Sequence, residues 1–129
     1  HVGLLPQYEK DIFKVKGRSK LEMNKICNDA NLLAKAGVFA IVIECVIENL
    51  AEKITKSIKI PTIGIGASKK CDGQILVIDD LIGMSNFKPK FVKKYANVSK
   101  IIEKCVKQYC SDVKKWLKRR IIFVPFSTL

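Results

Sequence analysis

Chemistry in this chain concentrates where an apolar run stops at an acid. Val38-Phe39-Ala40-Ile41-Val42-Ile43 is apolar at every position and ends abruptly in Glu44. A carboxylate placed there can accept a proton as a general base. It can equally complement the positive N-terminal end of a following helix, and the residues alone leave these two readings even. Cys45 adjoins it, but strand alternation directs the thiol to the other face, which reads as core packing and not as a nucleophile. Gly64-Ile65-Gly66 resembles the opening of a phosphate loop, yet Lys69 stands where the third glycine should be and no lysine-serine pair follows. These glycines read instead as a sharp turn of the backbone. Asp79 and Asp80 suggest a metal pair, but strand neighbours point to opposite faces and do not chelate one ion, so both are taken as non-ligands.

The elements that must position Glu44 are legible as periods. From Ser19, the residues Met23, Ile26, Cys27, Ala30, Leu33 and Ala34 recur at three and four, the stripe of an amphipathic helix. Ser19 and Glu22 form a capping box, and Gly37 suits a left-handed C-terminal cap. The run Val38 to Ile43 is expected to be a strand buried on both faces, as in a parallel sheet. Ile47, Leu50, Ala51, Ile54 and Ile58 make a second helical stripe, and Ile60 to Gly66 a second strand with Pro61 near its start. Gln74 to Ile78 reads as a third strand, then a loop from Leu81 to Asn86, with helical sequence opening at Lys88-Pro89-Lys90-Phe91. A last helix carries Val98, Ile101, Ile102, Cys105, Val106, Tyr109, Val113, Trp116 and Leu117 on one stripe. Strands alternating with helices imply parallel crossovers in an α/β fold. Three and a fraction strands leave either half of a closed barrel or a small open sheet.

Bulk properties narrow the function classes. The chain of 129 residues carries a net charge of +12, which would suit a nucleic-acid binder. Only Arg18, Arg119 and Arg120 are arginines, however, and the lysines fall on polar helix faces, so a solvated surface is expected and no nucleic-acid partner. Five cysteines without a C-x-x-C pair indicate reduced thiols and a cytoplasmic location. The longest apolar run is far short of the ~20 residues of a membrane span.

Several separated segments resemble the ketopantoate hydroxymethyltransferase family: His1-Val2-Gly3-Leu4-Leu5-Pro6-Gln7, Phe13-Lys14-Val15-Lys16-Gly17-Arg18, Ile43-Glu44-Cys45-Val46, Ile60 to Ala67, Cys71-Asp72-Gly73-Gln74-Ile75-Leu76-Val77, and Pro89-Lys90-Phe91-Val92. Their order is similar to the second half of that family. The resemblance implies the C-terminal half of a (β/α)8 TIM barrel, from the end of strand five through strand eight plus a C-terminal helix. Residues 1–113 would form this half-domain and residues 114–129 a divergent tail. It further implies transfer of a hydroxymethyl group from 5,10-methylenetetrahydrofolate to 3-methyl-2-oxobutanoate, giving 2-dehydropantoate, through an enolate assisted by Mg2+.

By resemblance Glu44 is the base and His1 lies near the substrate, able to donate a hydrogen bond to the keto acid. The Mg2+ ligands belong to the family's first half, so no metal ligand is expected in this chain. A homo-oligomer is expected, and the chain alone is expected to be inactive. Asp79, Leu5 and Ser68 depart from the family's usual histidine, threonine and glycine, which alters the pocket rim. The competing readings are a catalytically inactive remnant or basic binding module, and a different metal-assisted enolate chemistry on a related barrel.

Overall fold

A computed structural model describes residues 1–8, 14–85 and 91–118. Phe13, the expected helical opening at 88–90 and the tail from Arg119 lie outside the described residues. The chain divides into two compact units, 1–77 and 78–129.

The first unit is α/β. Its elements are β1 (Val2–Gly3), α1 (Lys20–Lys35), β2 (Ile41–Glu44), α2 (Glu48–Ser57), β3 (Thr62–Ile65) and β4 (Gly73–Gln74). The four strands form one sheet in the order β1-β2-β3-β4, all parallel. Register places Val2 beside Ile43, Gly3 beside Glu44, Glu44 beside Ile65, and Gly64 beside Gln74.

α1 forms where its stripe and caps predict. Ser19 accepts from the Glu22 amide at 3.2 Å. The reciprocal half of the box is displaced, because the Glu22 carboxylate accepts from the amides of Gly17 and Arg18 rather than from Ser19. At the other end Gly37 adopts φ +86, and its amide reaches the Ala34 carbonyl while the Val38 amide reaches that of Leu33. That is the Schellman arrangement, which satisfies carbonyls left open by the helix end.

Ile26 and Ala30 of α1, with Leu50, Ala51 and Ile54 of α2, close over Val2, Ile41 and Ile43. Each of the Val, Leu and Ile side chains among them contributes about 1.5–3 kcal/mol by leaving water. The opposite sheet face is only partly covered among the described residues: Val42, Glu44 and Ile63 are half-buried, and Ile65 is buried. The expectation of burial on both faces is therefore met on one. β2 also starts later than the apolar run suggests, at Ile41. Phe39 is 91% exposed, since the Schellman turn keeps the chain outside the sheet until Pro61 accepts from the Ile41 amide at 2.9 Å.

The third predicted strand is shortened. Pairing with β3 covers Gly73 and Gln74, with the Ile75 amide still bonded to Gly64, and Ile78–Leu81 is a helical turn, α3. In the second unit the Tyr95 and Val98 amides bond back to the Leu81 and Ile82 carbonyls. Gly83 at φ +72 permits that approach, as a Cβ there would meet the Ala96 carbonyl at 2.4 Å. α4 (Val98–Lys118) follows the predicted stripe, with Asn97 accepting from the Lys100 amide at its start.

Candidate active site

Glu44 is the last residue of β2, at the C-terminal end of the parallel strands. Alternation puts Ile41 and Ile43 against the helices and Glu44 on the open face. β1 runs beside β2 in parallel, so His1, one residue before Val2, lies on that same face. Its Nε2 stands 3.2 Å from Glu44 Oε2. The two residues proposed from the sequence, more than 40 positions apart in the chain, are thus brought together. Glu48, in the first turn of α2, is also placed to complement the positive end of that helix.

Burial pushes the Glu44 carboxyl above its ordinary range. Removing water from a carboxylate disfavours its charged form, which makes it a stronger base once ionised. The neighbouring Cys45 thiol is raised as well, first by burial and then by the charge of Glu44. A thiol held neutral is a poor nucleophile.

Cys45 is the one non-glycine residue with positive φ, +49, among the described residues. Such backbone is held at a cost of about 1–3 kcal/mol when its surroundings fix it. Here they do: the Cys45 amide donates to Ile65 O at 2.9 Å and its carbonyl accepts from the Lys16 amide at 2.7 Å. Cys45 is half-buried and lies outside the helix-side core, so its expected core packing is not realised. Strand alternation does not extend through a left-handed residue.

Asp79 and Asp80 lie in α3 and not at a strand end, so the strand alternation expected to part their side chains does not apply to them. Among the described residues no group of three or more His, Cys, Asp or Glu could hold a metal ion. Mg2+ takes oxygen ligands and keeps several waters, and the His1 imidazole beside Glu44 offers nitrogen. Gly66 turns the chain with φ +58, as the sequence suggests. Gly64 is glycine for a different reason, since a Cβ would come to 3.0–3.1 Å of the Gln74 side chain and Cys71 Sγ.

A second polar cluster escaped the sequence reading. Asp72 accepts from the Thr62 amide at 2.8 Å and from its hydroxyl at 2.9 Å, and Thr55 Oγ1 lies 2.9 Å from Thr62 Oγ1. The Thr62 bonds hold the Asp72 carboxyl below its usual range. This cluster sits at the start of β3, the sheet end opposite Glu44, and ties β3 to α2 and the approach to β4. The signal for it was a threonine at an otherwise apolar strand position.

A family model described as ketopantoate hydroxymethyltransferase matches residues 1–116. The chain is 51% identical over 113 residues to the 3-methyl-2-oxobutanoate hydroxymethyltransferase of Pelagibacter ubique (strain HTCC1062), which covers 88% of this chain and 44% of that protein. The enzyme of the same name from Caulobacter vibrioides (strain NA1000 / CB15N) is 49% identical over 116 residues, covering 88% and 42% respectively. That of Clostridium botulinum (strain Langeland / NCTC 10281 / Type F) is 49% identical over 118 residues, covering 89% and 43%. The chain spans less than half the length of these curated relatives.

Proposed function

Because the chain belongs to the ketopantoate hydroxymethyltransferase family, we propose that it supplies the proton-abstracting half of an enzyme converting 3-methyl-2-oxobutanoate to 2-dehydropantoate. The observation that carries this reading is Glu44 at the C-terminal strand end, desolvated and beside His1. Glu44 takes a proton from the carbon next to the ketone: the C–H bond breaks, the proton goes to a carboxylate oxygen, and the electron pair forms an enolate. Water opens 5,10-methylenetetrahydrofolate: both C–N bonds to the methylene carbon break, the folate nitrogens take up protons so that tetrahydrofolate leaves, and the carbon is released as formaldehyde with the water's oxygen. The enolate carbon then bonds to that carbon, and the formaldehyde oxygen takes a proton to become the hydroxyl. His1 donates a hydrogen bond to the keto acid and orients it.

The four parallel strands are read as half of a (β/α)8 barrel, with the open face of Val42, Glu44 and Ile63 as the barrel interior. Catalytic groups of such barrels lie at the C-terminal ends of strands, as Glu44 does. Residues 1–113 form the half-domain and 114–129 a divergent end. Mg2+ and its ligands are assigned to the part of the enzyme that the relatives have beyond the matched stretch. The complete enzyme is assigned to the cytoplasm as a homo-oligomer. Within the structure, no described helix is long and apolar enough to cross a membrane.

The test is turnover by a complete enzyme carrying this stretch, with and without Glu44→Gln. A general base contributes about 10²–10⁴-fold, so kcat should fall by that factor while substrate still binds. Unchanged kcat in the variant removes Glu44 from the role. Absence of turnover in the complete native enzyme favours a non-catalytic remnant.

A further inference from the structure

Side-chain alternation along β2 changes phase just past Glu44. Ile41 and Ile43 face the helices, and Val42 and Glu44 the open side. An extended continuation would send Val46 to the open side with Glu44. Val46 is instead buried in the helix-side core. The residue between them is Cys45, at φ +49.

Its surroundings are built for that turn. The Cys45 amide is tied to β3 through Ile65, its carbonyl to Lys16, and Val46 bridges to Lys16 in parallel. On the other flank Gly3 leaves the necessary room. A Cβ at Gly3 would lie 2.4 Å from both the Glu44 carbonyl oxygen and Val46 Cγ2.

We propose that Cys45 is a positioning residue for Glu44, acting through its left-handed backbone: the turn seats Val46 in the core while keeping the adjacent carboxylate on the open face beside His1. The thiol itself is not required. This rests on reading Glu44 as the base, but its test needs no turnover, so the two can fail separately.

The measurement is a titration of Glu44 by NMR in the 129-residue chain labelled with 13C-carboxyl glutamate, the signal assigned with Glu44→Gln. The titratable groups beside Glu44 are the His1 imidazole and the Cys45 thiol; the thiol, held up by burial, stays neutral across the carboxyl range. Native Glu44 should titrate above the exposed glutamates. Cys45→Gly and Cys45→Asn tolerate positive φ and should leave that titration in place, with the Gly chain melting no lower than native. Cys45→Val resists positive φ, and its Glu44 should titrate with the exposed glutamates while the Val46 amide exchanges faster. A Val variant with native titration overturns the proposal. So does a shift in both the Gly and Asn variants, which would assign the effect to the thiol. If the Val chain does not fold, Asn decides: native-like titration supports the proposal and an ordinary carboxyl overturns it.

Discussion

Two glutamates in this chain are perturbed in opposite directions, and the difference separates chemistry from structure at the scale of single residues. Glu44 is raised by burial, so the folded state favours its protonated form. That stabilisation is present in acid and is lost as pH rises through the folded value. Glu44→Gln should therefore leave the chain at least as stable as native at neutral pH, with the difference gone by about pH 4. Urea unfolding across pH checks this, and a variant less stable at neutral pH contradicts it. Glu52 is lowered to about 2, first by its hydrogen bond to Lys56 and then by that to Lys70. Its contribution is present above the ordinary carboxyl range and is lost as pH falls toward the folded value. Glu52→Gln should flatten the acid limb of the stability profile, less so in high salt because the pair is exposed. Glu44 could be picked out from sequence because an acid interrupts an apolar run. The direction of its shift could not, since burial depends on neighbours from β1 and β3.

At the scale of elements, helices were more legible than strands. The stripe of α1 and its terminal Gly37 gave the helix to within a residue or two. The capping box was only half right, because the Gly17 and Arg18 amides reach the Glu22 carboxylate first. Strand limits depend on partners. β2 begins where Pro61 offers a carbonyl and not where apolar residues begin, and Asp79-Asp80 join a helical turn although Gln74 to Ile78 looks extended. Gly37 offers a clean test, since a Cβ there meets nothing within 4 Å. Gly37→Ala should cost about 1–2 kcal/mol from backbone conformation alone. A loss well above that, read from urea midpoints, would mean that the Schellman turn has other supports.

In the first unit, the main core cluster of the described residues lies between the helices and one face of the sheet. Leu50 is fully buried between α2 and the sheet, and Leu50→Ala should destabilise the first unit by about 2–5 kcal/mol in thermal or urea unfolding. The 129-residue chain alone is expected to show no formation of 2-dehydropantoate, and mixing it with a polypeptide supplying the rest of a relative's length should restore turnover. Activity in the chain alone would reject that reading. The strand order has a further consequence. Neighbours in the sheet are also neighbours in the chain, β1 to β4 without a skip. Each of β2, β3 and β4 therefore meets its neighbour already made as it leaves the ribosome, so pairing within this sheet can keep pace with translation.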